Sequence, residues 1–346
     1  MKEKESLIEL FKQWSGTNVR TIVPLPLSGS ARSYYRITGD DCSAIGVFHN
    51  DDSENQAFVS FAEHFRSIGL SIPEIYKTEL DKNIYLQQDL GDQTLFDMLQ
   101  EDDEFGTQKS QPFLSEAVRN LPLIQVHGHR GLDYSLAYPR ESFDELSMRW
   151  DLNYFKYHFL KFTGIVFNEQ KLENDFETII TNLRKASTDY FLYRDFQSRN
   201  LMIKDNKVWF IDFQGGRKGY PAYDLASLLY DAKANISAEA REQYLNLYLN
   251  SLPNDSELSP ESFIKHYPGF VLIRKLQAMG AFGFRGIFER KTHFLQSIPY
   301  ALQNGKWVME NLKFAFDIPE LSRVLIALPD TPFLERIENE INAMTS

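Results

Sequence analysis

The chain has 346 residues and a single cysteine, Cys42, which excludes a disulfide framework and a thiolate metal cluster. With 37 basic and 48 acidic residues the net charge is −11, which argues against a general affinity for nucleic acid or an anionic membrane. No apolar run reaches the length of about 18 residues that a spanning helix needs, and Met1-Lys2-Glu3-Lys4-Glu5-Ser6 leads into no signal-like stretch, so a soluble, cytoplasmic protein is expected. At 43% hydrophobic, with 27 Phe and 17 Tyr, the chain can fill a large core, and its length suggests roughly two domains or lobes.

From Arg20 to about Tyr85 the apolar runs are short and β-like. Thr21-Ile22-Val23 and Ser33-Tyr34-Tyr35-Arg36-Ile37 flank the turn-forming Ser28-Gly29-Ser30, and Ala44-Ile45-Gly46-Val47-Phe48 follows Gly39-Asp40-Asp41. Residues 51–68 then read as one helix, with capping-box spacing at Ser53 and Gln56, an apolar face of Phe58, Phe61, Ala62 and Phe65, and Gly69 as the stop. Ile84-Tyr85-Leu86-Gln87-Gln88 predicts another strand. Beyond Gly91 helical spacing dominates, over 109–127, 141–162, 168–186, 237–251, 260–283 and 305–316. One hairpin interrupts it, Leu201-Met202-Ile203 and Val208-Trp209-Phe210-Ile211 joined by Lys204-Asp205-Asn206-Lys207. The pattern predicts a two-lobed α+β fold. A small strand-rich lobe with one helix, 1–88, is joined near Gln88-Asp89-Leu90-Gly91 to a large helical lobe, 89–346.

The chemistry concentrates in Tyr193-Arg194-Asp195-Phe196-Gln197-Ser198-Arg199-Asn200, the hairpin, and Ile211-Asp212-Phe213-Gln214. Phosphoryl transfer needs a carboxylate to orient and deprotonate the attacking hydroxyl, together with oxygen ligands for Mg²⁺. A loop supplying Asp195 and Asn200, beside a hairpin that ends on Asp212, can bring all three to one spot. An isolated Asp-x₄-Asn pair would more often be local turn chemistry; the hairpin and the apolar-Asp-Phe ending favour the chemical reading.

These segments resemble the protein-kinase-like small-molecule kinases, the aminoglycoside phosphotransferase and choline kinase group. The resemblance implies a protein-kinase-like fold, ATP and Mg²⁺ as cofactors, Asp195 as catalytic base, and Asn200 and Asp212 as Mg²⁺ ligands. It continues through Gly219-Tyr220-Pro221-Ala222-Tyr223-Asp224-Leu225-Ala226, similar to the family's Pro-x-x-Asp-Leu-Ala helix start, where Asp224 reads as a loop brace. Tyr193 stands where the family usually carries His. In the N-terminal lobe, Gly29 and Ser30 occupy the turn that covers nucleotide phosphates in such kinases. The strand at 44–50 lacks the phosphate-pairing lysine, so either another cation such as Arg32 does that work or nucleotide binding is weak or lost.

A bacterial branch of this group, kinases of cell-wall amino sugars acting on the anomeric hydroxyl of N-acetylmuramate or N-acetylglucosamine, also lacks that lysine. Its members resemble this chain in Arg194-Asp195-x-x-Ser198-Arg199-Asn200-Leu201-Met202, in Ile211-Asp212-Phe213-Gln214 and in Gln277-Ala278-Met279-Gly280-Ala281-Phe282-Gly283. Charge gives an independent test of the acceptor. Residues 260–313 carry eight bases against three acids, a balance that suits a neutral or carboxylated sugar better than a polycation, and Arg285 is the leading residue for acceptor contact. Residues 89–106 hold seven acids and no Lys or Arg, which reads as a solvated loop. His127 reads as a packed or capping histidine. An aminoglycoside- or choline-type kinase is the alternative within the enzyme class. A kinase-like pseudoenzyme with a binding role is the alternative outside it, motivated by the absent lysine and by Tyr193.

Overall fold

The computed structural model describes residues 2–26, 32–102, 109–234 and 236–345. The chain opens with helix α1 (Lys2–Ser15) and strands β1 (Thr21–Pro24), β2 (Ser33–Thr38) and β3 (Ser43–Phe48). Helix α2 (Asp52–Ser67) follows, then β4 (Ile75–Glu79) and β5 (Ile84–Gln88). The five strands form one antiparallel sheet of order β1-β2-β3-β5-β4.

Alternation along the strands explains how both faces are covered. On β3 and β5, Ala44, Ile84 and Leu86 meet Leu7, Leu10 and Phe11 of α1, while Ile45, Val47 and Tyr85 point the other way into the core that holds Phe58, Phe61 and Phe65 of α2. The sequence pattern predicted one helix in this lobe. Helix α1 is a second, and its apolar stripe is short, Leu7, Leu10, Phe11 and Trp14 within a charged segment. The start of α2 also differs: Asp51, not Ser53, is the cap, its side chain accepting the Glu54 amide at 3.1 Å.

After Gln88 the chain turns through Gly91 at φ +81 into α3 (Leu95–Glu101), α4 (Gln111–Val126), α5 (Glu145–His158) and α6 (Glu169–Leu183). Arg36 of β2 grips this junction. Its guanidinium donates to Asp89 at 2.8 and 3.1 Å, to Asp92 at 3.0 Å and to the Gly91 carbonyl at 3.0 Å. Two of the seven acids read as a solvated loop are thus ion-paired; Asp103 and Glu104 lie outside the described residues.

The short strands β6 (Phe191–Leu192), β7 (Leu201–Lys204), β8 (Lys207–Phe210) and β9 (Arg217–Lys218) pair as β6 with β9 and β7 with β8. The β7–β8 hairpin turns on Asp205 and Asn206, both at positive φ, as a two-residue turn requires. Helices α7 (Ala222–Leu229), α8 (Ala238–Asn250) and α9 (Pro260–Ala281) come next. Helix α9 runs on into a π-helical turn, Phe282–Phe288, and is followed by α10 (Thr292–Leu295), α11 (Ile298–Asn311), α12 (Pro319–Ala327) and α13 (Pro332–Thr345). Helix α11 begins earlier than the predicted 305–316, because Pro299 starts it and Gly305 is interior; a Cβ at Gly305 would lie 2.9 Å from Met279. No helix among the described residues is long and apolar enough to cross a membrane.

Helix α5 lies along α9. Two glycines permit the approach: a Cβ at Gly280 would stand 2.8 Å from the Tyr154 carbonyl carbon, and one at Gly283 would collide with the His158 carbonyl. The two backbones therefore touch, and this contact fixes the height of α5, which carries Asp151.

Candidate active site

Residues 193–200 link β6 to β7 and end in a single helical turn, Ser198–Asn200. The Asn200 side-chain amide donates to the Asp195 carbonyl at 2.8 Å and to Asp212 Oδ2 at 3.1 Å, while the Ile211 amide donates back to the Asn200 carbonyl at 3.1 Å. Asp195, Asn200 and Asp212 are thereby assembled at the end of the hairpin, as the sequence predicted. Asp212 has φ +68, a left-handed conformation costly for a non-glycine residue and held here by its surroundings. Burial, and then the negative charge of Asp195, push the Asp212 carboxyl above its usual range; Gln214, donating to its Oδ1 at 2.7 Å, and the charge of Arg32 oppose this.

A buried frame holds the loop. The Asp224 carboxylate, at the start of α7, accepts the amides of Tyr193 at 2.8 Å and Arg194 at 2.9 Å, and Gln125 of α4 donates to it at 2.8 Å. The Tyr248 hydroxyl donates in turn to Gln125 at 2.6 Å. Asp224 is therefore the brace the sequence suggested. Arg194, at φ +81, donates to both oxygens of Asp151 at 2.6 and 2.8 Å, with its guanidinium over the rings of Phe143 and Tyr223. Tyr193 is buried, and its hydroxyl donates to the Ile211 carbonyl. This phenol ties the two halves of the site.

Arg32 is 1% exposed, at the foot of β2. Its Nη2 lies 3.3 Å from the Glu54 carbonyl and 3.6 Å from Glu54 Oε1 on α2, and the guanidinium stands 5.7 Å from the centre of the Phe58 ring. Phe58 stacks in turn on Phe213 at 4.9 Å, the neighbour of Asp212. Gly29 and Ser30 lie outside the described residues. Arg285, on the π-helical turn, is ion-paired with Glu289 at 3.1 Å and sits against Phe284; among the described residues its hydrogen bonds and ion pairs do not reach the 193–200 loop. Of the basic residues in 260–313, Arg274 and Lys275 are buried, donating to Ser227 at 2.9 Å and to the Tyr230 carbonyl at 3.1 Å. His127 closes α4 and pairs with Asp255 at 3.0 Å.

Sequence reasoning missed Asp151, Gln125 and Glu54, and gave Gln214 no role of its own. Asp151 carried a usable signal, because it shares the apolar face of α5 with Met148, Leu152 and Phe155. An acid on such a face needs a buried partner.

The comparisons with known proteins bear on this arrangement. A model of the phosphotransferase enzyme family matches residues 21–260. The chain belongs to that family. It is an ATP-dependent small-molecule phosphotransferase with a kinase-like fold. It is similar to the N-acetylmuramate/N-acetylglucosamine kinase of Caulobacter vibrioides, at 26% identity over 271 residues covering 75% of this chain and 70% of that one. It is also similar to the N-acetylmuramate/N-acetylglucosamine kinase of Pseudomonas aeruginosa, at 23% identity covering 93% of this chain and 94% of the other. In fold it is similar to the choline kinase from Cryptosporidium parvum, with a TM-score of 0.58 at 12% identity, covering 93% of this chain and 99% of that one.

Proposed function

We propose that this phosphotransferase moves the γ-phosphoryl group of ATP to the anomeric hydroxyl of an N-acetylated amino sugar, N-acetylmuramate or N-acetylglucosamine. The observation that carries the reading is the Asn200 amide bonded to both Asp195 and Asp212. The amide reaches the main-chain carbonyl of Asp195 and the carboxylate of Asp212, which holds the two acidic residues near enough for the charge of Asp195 to act on Asp212. The relatives' acceptors support the choice of sugar.

In this reading Asp195 orients the acceptor hydroxyl and takes its proton. The donor set fits Mg²⁺: a buried carboxylate crowded by a second one, an amide oxygen, and a Gln214 Oε1 that is buried with no hydrogen-bond partner among the described residues. Asp212 and Asn200 would hold the ion, which neutralises charge on the phosphates when bound. Arg32 takes the place of the absent strand lysine: it is buried, paired with a helix carboxylate, and its positive charge acts on Asp212. Gly29 and Ser30, outside the described residues, are the candidates for covering the phosphates, and Arg285 is a candidate acceptor contact that shares its guanidinium with Glu289.

The test is incubation with ATP, Mg²⁺ and an acceptor panel, reading ADP and locating the phosphate by NMR. Release of ADP with either N-acetylated sugar, with phosphate on C1, is expected. Turnover of aminoglycosides or choline with none on these sugars would overturn the acceptor assignment. Asp195→Asn should remove nearly all turnover while nucleotide binding stays measurable by calorimetry.

A further inference from the structure

Two cationic side chains and an imidazole gather beside the 193–200 loop, where one carboxylate serves both cations. Arg199 lies on the turn between Asp195 and Asn200. Its guanidinium stands over the Phe96 ring at 5.6 Å and its Nη2 is 3.8 Å from Asp231 Oδ2. Asp231 is buried, and its Oδ1 accepts the Lys233 amide at 3.2 Å, which folds the segment after α7 back toward the loop. The Lys233 ammonium donates to a neutral partner, the Gln296 side-chain carbonyl, at 3.2 Å. His293, one turn earlier on α10, completes the group.

The charge of Arg199 acts on both of its neighbours. Burial, and then the charge of Arg199, lower the Lys233 ammonium, while burial followed by Arg199, Lys233 and Lys291 lowers the His293 imidazole. Lys291 has a carboxylate of its own, Glu289 at 3.1 Å. Arg199 and Lys233 share one, Asp231. Among the described residues, Arg199 Nε and Asp231 Oδ2 are buried without hydrogen-bond partners, and the half-buried Lys233 faces an amide where an ion would serve better. Unbalanced positive charge withdrawn from water is costly unless an anion completes it.

We propose that Arg199 and Lys233 together bind a carboxylate on the acceptor, so that the enzyme prefers N-acetylmuramate over N-acetylglucosamine. The two sugars differ by the lactyl ether and its carboxylate, which only the first carries. The inference rests on the amino-sugar reading above. Arg199 is one residue from Asn200 and four from Asp195, on the same short turn, so it is within the segment an acceptor at Asp195 would meet. A guanidinium and an ammonium converging on one carboxylate provide charge-assisted hydrogen bonds to both of its oxygens.

The test is kcat/KM for the two sugars in the wild type and in Lys233→Met, Lys233→Arg and Arg199→Gln, each checked for folding by its melting temperature. The wild type should favour N-acetylmuramate about tenfold or more. Lys233→Met and Arg199→Gln should lower that ratio by a similar factor, chiefly through KM for the carboxylated sugar, and Lys233→Arg should restore it. Turnover of both sugars at a ratio that none of the variants moves would overturn this inference alone. Turnover of neither would overturn the amino-sugar reading and this inference with it.

Discussion

The hydroxyl of Tyr193 donates to the backbone carbonyl of Ile211, fastening the residue two before Asp195 to the residue immediately before Asp212. The phenol ring is packed by Phe196 at 5.3 Å and Phe213 at 6.1 Å, so the bond is shielded from water. Tyr193→Phe keeps the packing and removes the partner of a part-buried carbonyl, at a cost of about 1 kcal/mol. The expected result is a lower melting temperature and a several-fold higher Mg²⁺ concentration for half-maximal rate. A melting curve and Mg²⁺ titration matching the wild type would contradict it.

Asp224 receives three donors, two of them backbone amides of the catalytic loop. Asp224→Ala leaves those donors buried and unpaired, so a loss of about 2 kcal/mol or more is expected in urea unfolding. Turnover should fall well beyond what the unfolded fraction explains, because the loop loses its anchor. Asp224→Asn, which keeps one accepting oxygen, should be intermediate in both measurements.

Arg32 is tested by its effect on nucleotide. Arg32→Met should raise KM for ATP by about tenfold or more, the scale of a charge-assisted contact to phosphate, with a smaller change in KM for the acceptor. Arg32→Lys, still cationic but unable to form the same fork, should recover part of the loss. Equal effects on both substrates would assign Arg32 to the packing of α2 against the sheet instead.

Lys275 predicts a pH dependence of stability. Burial, and next the charge of Arg241, bring its ammonium down to about 7, against about 10.4 for an exposed lysine. Between those values the unfolded chain holds a proton that the folded chain lacks, so this residue's contribution to stability rises with pH across that window. Below it, the folded protein carries the buried charge in full. Lys275→Met should therefore raise the melting temperature relative to wild type most at about pH 6, and the difference should shrink toward pH ~10. A constant difference across that range would count against the assignment.

The parts of the site legible in the sequence are those the chain keeps close together. Asp195, Asn200 and Asp212 are linked through one hairpin, and Asp205-Asn206 marks its turn. The strands at 33–38, 43–48 and 84–88 were equally plain, because apolar and β-branched residues covered on both faces leave a continuous signal. What escaped was set by tertiary contact. Arg194 meets Asp151 43 residues back, Asp224 meets Gln125 across 99 residues, and Arg32 meets Glu54 across 22. No local period encodes such partners. The cap of α2 was ambiguous for another reason: Asp51, Asp52 and Ser53 are all good caps, and only the backbone conformation chooses Asp51.

The contact between Gly283 and the His158 carbonyl reaches further than packing. Helix α5 ends at His158, and two turns earlier it carries Asp151, the partner of Arg194. A methyl group at position 283 would push the whole helix, and Arg194 would be drawn along its axis with Asp195 attached. A genetic screen would then recover substitutions at this glycine beside those at Asp195, the proposed base. They would share a phenotype, although the glycine has no side chain with which to touch either substrate.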